Sequence, residues 1–368
     1  MRVICSQKNL KGALDIVSLA VNNSSTLPVL NNILVKAENK RVFFYATNLE
    51  IAISYSIAAE VKNEGSITIP AKLITNYISL LNDDEVELKV EDGMTLHAKS
   101  ASSQTKIKGI SPDEFPLIPK VEKEAGFEIS VPAFADAIEQ TVFSASSTNI
   151  RPILAGVYMH GEKDLLKMVA TDSFRLAEKR VKLEGKVDGT VECVVPMRTL
   201  LELSRILKAQ GEKEKVTISV SKNQVLFSVG GVELISRLIE GKFPDYEKII
   251  PREHRTRLEV SSSALTLATK RVSLFAKENN NSIKLTATND GRLQVATDET
   301  SVGEEKSEVD IKMTGENNKI AVNSQYLLDV LNHMGEDVLI EMNEKLTPVV
   351  VKSAKKDDYL YIIMPLKV

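Results

Sequence analysis

The feature that most constrains the fold is an internal repeat in which matching segments lie 124 residues apart. Leu27-Pro28-Val29-Leu30 returns as Arg151-Pro152-Ile153-Leu154, and at the same offset Ala46-Thr47-Asn48 returns as Ala170-Thr171-Asp172. Two agreements that share one gapless offset indicate a duplicated unit, which decides the fold before any single element does. A period of this length is too long for a solenoid and is the size of an independent domain.

Helical spacing supports the repeat and extends it to a fainter third copy. The apolar residues of one helical face recur at the same offset, with i, i+3, i+4 spacing, as Leu10, Ala13 and Leu14 and then as Phe134, Ala137 and Ile138. In the third copy, Ala296-Thr297-Asp298 repeats the Ala-Thr-Asx step, and Leu265 and Ala268 repeat the helix. Residues 323–331 follow the pattern of residues 70–78.

Each copy is predicted to be an α+β domain with two helices packed on strands. We place the domains at residues 1–122, 123–254 and 255–368, with junctions in the charged stretches Lys120 to Glu124 and Arg252 to Arg257. The predicted helices cover residues 7–21, 70–81, 132–143, 196–210, 262–278 and 323–332. Predicted strands of the second copy include residues 166–170 and 189–195, and Pro70 and Pro196 are expected in the first turns of their helices.

Composition excludes several classes of protein. The 47 Lys and Arg against 50 Asp and Glu leave a net charge of −3, so any contact with nucleic acid must come from local segregation of charge. Cys5 and Cys193 have neither the spacing of a disulfide framework nor that of a zinc site. The start has no apolar core of signal-peptide length, and no apolar run is long enough to span a membrane, so a cytoplasmic protein is expected.

The sequence lacks the motifs of the common enzyme sites. It contains no phosphate-binding loop, no dinucleotide-binding turn, no nucleophile elbow and no paired-histidine metal helix. The four histidines are scattered without metal-ligand spacing. We therefore predict no catalytic residue, no cofactor and no metal.

The residues alone leave the structural roles of two motifs undecided. The segment Thr171-Asp172-Ser173-Phe174-Arg175 follows an apolar strand, and it favours either a tight turn in which Asp172 bonds nearby backbone or a loop that lines a cleft. An acid–base site there has little support, because no nucleophile or base accompanies Asp172 and Arg175. The apolar C-terminus, residues 359–368, predicts a final strand whose end beyond Pro365 either fills a core or forms one wall of an apolar groove.

Taken together, these residues resemble the bacterial DNA polymerase III beta subunit, the sliding clamp family, over the whole chain. The resemblance rests on the Leu-Pro-Val-Leu and Ala-Thr-Asp steps and on three further segments: residues 241–246 (Gly-Lys-Phe-Pro-Asp-Tyr), residues 326–332 (Tyr-Leu-Leu-Asp-Val-Leu-Asn) and residues 363–366 (Ile-Met-Pro-Leu). It implies a head-to-tail homodimer of three-domain protomers, which forms a six-domain ring around double-stranded DNA. The implied function is a non-enzymatic processivity factor of DNA replication, loaded by an ATP-driven partner.

The resemblance also implies a groove for short linear peptides. Its implied partners are the DNA polymerase III alpha subunit, the clamp loader delta subunit, and other polymerases and repair proteins. The implied groove residues are Leu154, Thr171, Ser173, Arg175, Leu176, Pro244, Lys248, Ile249, Asn323, Ile362, Met364, Pro365 and Leu366. Ser173-Phe174 stands where a smaller residue and a histidine are common in the family, so peptide preference is expected to differ.

Basic residues on the predicted inner helices are the candidates for DNA contact. The six helices sum to +3 and leave −6 for the rest of the chain, the direction of segregation that a DNA channel requires. The candidates are Lys8, Lys11, Lys72, Arg198, Arg205, Lys270 and Lys277, joined by Arg151 from a loop that matches the family's DNA-contacting loop at Asn149-Ile150-Arg151. Ser24 and Ser25 replace a basic residue that family members can carry.

The dimer contact is expected to join an edge strand of the first domain to an edge of the third. The implied residues are Thr105 and Ile107 on one side and Leu274 and Phe275 on the other. An alternative is that Leu274 and Phe275 are internal to the third domain. For the whole chain, the alternatives are a protein-only scaffold that does not encircle DNA and an enzyme with its site at residues 171–175.

Overall fold

The computed structural model describes residues 1–21, 27–91, 94–119, 121–122, 124–148, 150–299, 301, 303–335 and 337–367. Ser24, Ser25 and Asn149, which the sequence analysis connects with DNA contact, lie outside the described residues.

Six α-helices occur in this part of the chain, and all six were predicted. They are α1 (Gln7–Val17), α2 (Ala71–Ser79), α3 (Val131–Thr141), α4 (Met197–Lys208), α5 (Ser262–Ala276) and α6 (Ser324–Asn332). Short 3-10 turns follow α1, α3 and α5 at Ser18–Ala20, Val142–Ser144 and Lys277–Asn279, which accounts for the longer predicted ranges. Pro70 and Pro196 end the preceding strands and directly precede α2 and α4, one residue earlier than predicted, because the backbone of Pro70 is still extended (ψ 115°).

The described residues also form twenty-five strands. In the first half of the chain they are β1 (Arg2–Ser6), β2 (Asn32–Glu38), β3 (Arg41–Thr47), β4 (Ile51–Ala58), β5 (Glu60–Asn63), β6 (Gly65–Pro70), β7 (Glu85–Glu91), β8 (Thr95–Lys99), β9 (Gln104–Lys108), β10 (Ala125–Ser130), β11 (Gly156–Glu162), β12 (Leu165–Thr171) and β13 (Arg175–Lys182). The remainder are β14 (Val191–Pro196), β15 (Lys215–Val220), β16 (Gln224–Val229), β17 (Val232–Arg237), β18 (Thr256–Val260), β19 (Ser282–Thr288), β20 (Arg292–Ala296), β21 (Lys306–Gly315), β22 (Asn318–Asn323), β23 (Val338–Met342), β24 (Val349–Ser353) and β25 (Tyr359–Ile363).

The strands form three antiparallel sheets. Their orders are β5-β1-β7-β8-β9, then β10-β15-β16-β17-β4-β3-β2-β6, and finally β14-β11-β12-β13-β25-β24-β23-β18-β21-β20-β19-β22. Strand pairing crosses between repeats twice, because β17 of the second repeat pairs with β4 of the first, and β25 of the third repeat pairs with β13 of the second. The sheets are therefore larger than any one repeat.

The chain divides into two compact units, and the middle repeat contributes to both. The first unit comprises residues 1–134, 187–191 and 198–238, and the second comprises residues 135–186, 192–197 and 239–368. This division follows from the two strand pairings between repeats. The three predicted domains therefore correspond to the three sequence repeats and do not coincide with the two compact units.

Each unit buries the apolar faces of its helices against strands. In the first unit, α1 buries Leu10, Ala13 and Leu14 and packs against α2 and β4. In the second, α5 and α6 pack against each other and bury Leu265, Val272, Leu327 and Val330 with strand residues in one core. The apolar spacing that predicted these helices thus marks the faces that are buried. Among the described residues, no helix is long and apolar enough to cross a membrane.

Candidate functional site

The turn between β12 and β13 is fixed by hydrogen bonds from two side chains. The Thr171 hydroxyl donates to the Arg175 carbonyl at 2.6 Å and accepts from the Ser173 N–H at 3.1 Å. The Asp172 Oδ1 atom accepts from the Phe174 and Arg175 N–H groups at 2.9 and 3.0 Å. The tight turn predicted from sequence, with Asp172 bonded to nearby backbone, is confirmed.

The first repeat contains the same turn between β3 and β4. The Thr47 hydroxyl donates to the Ile51 carbonyl at 2.8 Å and accepts from the Leu49 N–H at 3.0 Å. Asn48 Oδ1 accepts from the Glu50 and Ile51 N–H groups at 3.0 and 2.9 Å. Even the left-handed residue recurs, since φ is +74° at position 49 and +79° at position 173. The repeat is therefore one of backbone conformation and side-chain bonding as well as of sequence.

Arg175 directs its guanidinium inward, with only 12% of its side chain exposed. Its Nε donates to Asp172 at 3.0 Å, Nη1 donates to Asp329, and Nη2 donates to the Phe143 carbonyl at 2.7 Å. The guanidinium carbon lies 4.7 Å from the centre of the Tyr326 ring, a cation–π distance. Arg175 thus connects the turn to α6, and its charge is satisfied within the second unit.

Replacing Arg175 by Met should lower the free energy of unfolding by about 2–4 kcal/mol, because two poorly hydrated carboxylates lose their cation. Urea denaturation followed by circular dichroism measures the change. Arg175→Lys keeps the positive charge but loses the several N–H donors of the planar guanidinium. It should therefore retain only part of the stability that Arg175→Met loses. The exposed Arg151 is the matched control, and Arg151→Met should change stability by less than about 0.5 kcal/mol. A loss below about 1 kcal/mol for Arg175→Met would show that the network is not a stabilising one.

Residues 364–366, which follow β25, are hydrogen-bonded to two other segments. The Met364 N–H donates to the Phe174 carbonyl at 2.8 Å, and the Leu366 N–H donates to the Ala321 carbonyl of β22 at 2.8 Å. Residues 364–366 are half-buried. The predicted final strand is confirmed, and the segment after it runs from the turn to β22 with its side chains partly open to solvent. Of the two predicted roles, a filled core is wrong for residues 364–366, and a groove wall stays a prediction.

An apolar cluster lies beneath this surface. Leu176 and Ile362 are opposite each other in the β13–β25 pair, and both are fully buried. Leu154 packs in the same cluster, together with Phe243 and Tyr246. Three of the implied groove residues therefore lie in the floor under the surface and are not open to solvent.

Other implied groove residues lie at the surface. The exposed ones are Ser173, Pro244, Lys248 and Ile249. Lys248 pairs with Asp245 at 2.7 Å within a 3-10 turn at Tyr246–Ile249. Asn323 caps α6, because its side-chain oxygen accepts from the Gln325 N–H at 2.8 Å. Asn323 is thus occupied by the fold and Lys248 is ion-paired with Asp245, whereas Ser173, Pro244 and Ile249 offer exposed polar and apolar surface.

A buried carboxylate fixes the 3-10 turn to β13. Glu178 is 1% exposed and accepts from the Tyr246 hydroxyl at 2.6 Å and from Arg180 Nε at 2.6 Å. Burial, followed by the bond to Glu178, raises the pKa of Tyr246 well above its ordinary value. The hydroxyl therefore remains a donor throughout the neutral pH range, and it holds residues 246–249 against the strand.

Possible metal ligands and the two cysteines were the remaining candidates for reactive chemistry. No group of three His, Cys, Asp or Glu that could hold a metal occurs among the described residues. Cys5 and Cys193 are free and buried, and burial raises the pKa of each thiol to about 12. Both therefore remain protonated and unreactive at neutral pH.

The basic residues implied for DNA contact lie on the surfaces of helices and one loop. The exposed ones are Lys8, Lys72, Arg151, Arg198, Arg205, Lys270 and Lys277. Lys11 is half-buried and pairs with Asp15 at 3.0 Å, while Arg205 pairs with Glu202 at 2.9 Å. Arg271, beside Lys270 on α5, is a further exposed cation that the sequence analysis did not select.

The residues implied for the dimer contact lie at two strand edges and on α5. Among the described strands, β9 pairs with β8 alone, and its Ile107 is buried while Thr105 is half-buried. In β21, residues 311–315 pair with β18, whereas residues 306–310 pair only with β20 in the described structure. Leu274 is 65% exposed and Phe275 is half-buried. The alternative that both are internal is wrong for Leu274.

Comparison with known proteins identifies the family. Residues 1–119, 128–245 and 247–367 match the N-terminal, central and C-terminal domains of the DNA polymerase III beta subunit. The chain belongs to this family. Its function is that of a DNA sliding clamp. The implied α+β fold of three similar domains is confirmed by the same matches.

Relatives and solved structures agree over the whole length of this sliding clamp. A beta sliding clamp from Synechococcus elongatus is 32% identical and covers 100% of this chain and 99% of that protein. One from Staphylococcus aureus is 30% identical over 95% of this chain and 94% of its own. The sliding clamp structure from Bacillus subtilis has a TM-score of 0.95 at 27% identity, covering 100% and 99% of the two chains. The Pseudomonas aeruginosa beta subunit has the same score and identity, with 100% of both chains covered.

The groove residues assigned from the sequence leave out Tyr326 and Asp329, although both lie in segment 326–332, which carries the resemblance. Tyr326 lies under Arg175, and Phe174, which was expected to affect peptide preference, is 60% exposed next to the turn. Asp329 is four residues after Gln325, whose side-chain amide donates to it at 2.6 Å. That i, i+4 spacing was a further signal for Asp329.

Proposed function

We propose that two copies of this sliding clamp associate head to tail into a closed ring of six domains that surrounds duplex DNA and tethers the replicative polymerase. The domains are taken as residues 1–122, 123–254 and 255–368. The observation that carries the proposal is a pattern of strand pairing between repeats. Two repeats pair their last strand with another repeat, and the last strand of the remaining repeat lacks such a partner among the described strands.

The pattern concerns the last strand of each repeat. The last strand of the second repeat, β17, pairs with β4, and the last strand of the third repeat, β25, pairs with β13. By the same pattern, β9 of the first repeat should pair with the equivalent strand of the third, which is the 306–310 half of β21. Each of these two edges is unpaired on one side among the described strands. An unpaired edge is a template for another strand, so β9 of one copy can join β21 of a second copy.

Charge supports this contact. Lys106 and Lys108 are exposed on β9, and Glu308 and Asp310 are exposed on β21. Opposite charges on facing strands stabilise the pairing, and Leu274 adds an exposed apolar side chain on α5. Because the two surfaces differ, the contact is heterologous, and two such contacts close a ring only if the rotation between the copies is two-fold.

Such a ring holds DNA by topology, so weak contacts to phosphate suffice. The six helices carry +3 in total, while the chain as a whole carries −3. Exposed Lys and Arg on these helices can meet phosphates without reading base edges, which is the property that sliding requires. Lys8, Lys11, Lys72, Arg151, Arg198, Arg205, Lys270 and Lys277 are the proposed DNA contacts.

The surface over the apolar cluster is the proposed docking groove for partner peptides. Its wall is the half-buried segment 364–366, its floor includes Leu176 and Ile362, and its rim includes Ile249. An extended peptide with a Leu or Phe side chain suits such a surface, and a small contact area gives weak and exchangeable binding. The proposed occupants are the DNA polymerase III alpha subunit, the clamp loader delta subunit, and other polymerases and repair proteins.

We assign no catalytic step to this chain. Opening and loading of the ring need ATP, which we assign to the clamp loader, and the whole process is placed in the cytoplasm. No cofactor or metal enters the proposal.

A loading experiment tests the proposal. Clamp loaded by the clamp loader and ATP onto a nicked circular plasmid should stay with the DNA through gel filtration and should leave when a restriction enzyme linearises the plasmid. Retention on the circle should persist at about 0.5 M salt, where phosphate contacts alone are screened. The variant Arg151→Ala/Arg198→Ala/Arg205→Ala should load less efficiently but should still be released by linearisation.

Two outcomes would contradict the ring. Equal retention on circular and linear DNA would indicate simple DNA binding, and no retention at all would favour the protein-only scaffold. Negative-stain images of the same sample provide an independent check, because closed six-lobed particles are expected and three-lobed particles at every concentration would exclude the dimeric ring.

A further inference from the structure

A cavity of about 450 Å³ lies against β19, β22 and the chain end. Leu346, in the connection between β23 and β24, is 64% exposed and supplies one apolar wall. Leu366 supplies another, and its N–H donates to the carbonyl of Ala321 in the same lining. Because Leu366 also belongs to the proposed groove wall, the cavity adjoins the proposed groove at this residue.

Among the lining residues that the structure describes, four are lysines and none is acidic. They are Lys284, Lys319, Lys345 and Lys367. Lys284 lies opposite Ala321 in the β19–β22 pair and makes an ion pair with Asp298. Lys319, Lys345 and Lys367 are exposed, and the described residues give none of them an ion-pair partner. The lining therefore combines an apolar floor with an excess of positive charge.

We infer that this lysine-rimmed cavity binds an acidic stretch of the same partner peptide whose apolar residues occupy the groove. The inference rests on the proposed function of the groove. Carboxylates of the peptide would pair with Lys319, Lys345 and Lys367, and an apolar side chain between them would contact Leu346 and Leu366. The cavity then selects among partner peptides by their charge next to the common apolar motif.

The lining favours a peptide over a nucleic acid. Aromatic side chains on which bases could stack are absent from the lining residues that the structure describes, and single-stranded nucleic acid relies on such stacking. Leu346 and Leu366 instead present aliphatic surface, which suits side chains of a peptide. Charge complementarity at the rim mainly adds specificity and a faster association rate, as a shared docking site requires.

A peptide series tests the inference by fluorescence anisotropy with the full chain. The core probe is the C-terminal peptide of the DNA polymerase III alpha subunit, and it is extended at either end by Glu-Glu-Glu or by Gln-Gln-Gln. One Glu extension should tighten binding about fivefold to tenfold over its Gln counterpart at low salt, and this gain should fall below about twofold at 0.5 M salt. In Lys319→Glu/Lys345→Glu the gain should disappear, while the core peptide binds as before.

The control is Lys163→Glu/Lys182→Glu, which changes the net charge equally at exposed lysines that are not part of the lining. It should keep the gain from the Glu extension. Equal gains from Glu and Gln extensions, or equal effects of the two double variants, would overturn the cavity proposal alone. Failure of the core peptide to bind would overturn the groove and the cavity together. Binding of a single-stranded oligothymidylate that is lost in Lys319→Glu/Lys345→Glu would assign the cavity to nucleic acid instead.

Discussion

The triple variant Lys106→Glu/Lys108→Glu/Leu274→Asp is expected to be monomeric at micromolar concentration and to leave a nicked circular plasmid as quickly as a linear one. The two lysines are exposed on β9, whose only partner among the described strands is β8. The substitutions introduce three carboxylates at the proposed junction, where Glu308 and Asp310 already lie, so five like charges meet there, and an exposed apolar contact is lost. The dissociation constant of the dimer should rise at least about a hundredfold.

Sedimentation velocity measures the assembly state, and circular dichroism checks that the fold is retained. None of the three side chains belongs to a core cluster, so the melting temperature should change little. Restoring opposite charge with Glu308→Lys/Asp310→Lys in the same chain should recover part of the dimer. Recovery is limited because Arg292, which lies 3.4 Å from both carboxylates, would then face lysines.

Two results would argue against the proposed junction. A triple variant that stays dimeric would show that the copies meet elsewhere. A monomeric triple variant that still resists release from circular DNA would show that retention does not depend on ring closure. Lys163→Glu/Lys182→Glu again serves as the charge-matched control and should remain dimeric.

Local patterns were sufficient to predict the helices and the turn. The i, i+3, i+4 spacing of α1 and α3 depends on neighbours within one element, and the predicted Leu10, Ala13 and Leu14 of α1 are all buried. The Asx turn at Asp172 is likewise decided within four residues. Helix ends were predicted too far along the chain after α1, α3 and α5, because a 3-10 turn directly follows each of these helices.

Contacts between residues that lie far apart in the chain could not be predicted from local sequence patterns. Arg175 meets Asp329 across 154 residues, and no periodicity links the two positions. Similarly, the apolar residues of a groove floor and of its rim look alike in sequence, so nothing distinguished the buried Leu176 from the exposed Ile249. The four lysines of the cavity come from separate strands and loops, and only the pairing of β19 with β22 and the path of the chain end bring them together.

The sequence repeat supplied part of this long-range information. A duplicated turn with the same four hydrogen bonds shows that equivalent positions adopt equivalent structure. The two strand pairings between repeats then define where a third should form. A repeated sequence thus predicts an intermolecular contact from two intramolecular ones, which a single domain cannot do.

Deleting Met364 to Val368 is expected to weaken binding of the alpha-subunit peptide at least about a hundredfold while the clamp remains dimeric and stays on circular DNA. The deletion removes the proposed groove wall and the N–H donors that bond to the carbonyls of Phe174 and Ala321. Stability should fall by only about 1–2 kcal/mol, because β25 and the apolar cluster stay in place.

Smaller changes separate the wall from the chain end itself. Met364→Ser/Leu366→Ser keeps the backbone and should still lower peptide affinity about tenfold or more, since it removes apolar contact area. Lys367→Ser leaves the wall intact and should affect only peptides that carry the acidic extension. Unchanged affinity after the five-residue deletion would exclude this segment as the groove wall. If the deletion variant is monomeric, the deleted segment also supports the proposed junction at β9 and β21. Peptide binding and dimerisation would then depend on the same part of the structure.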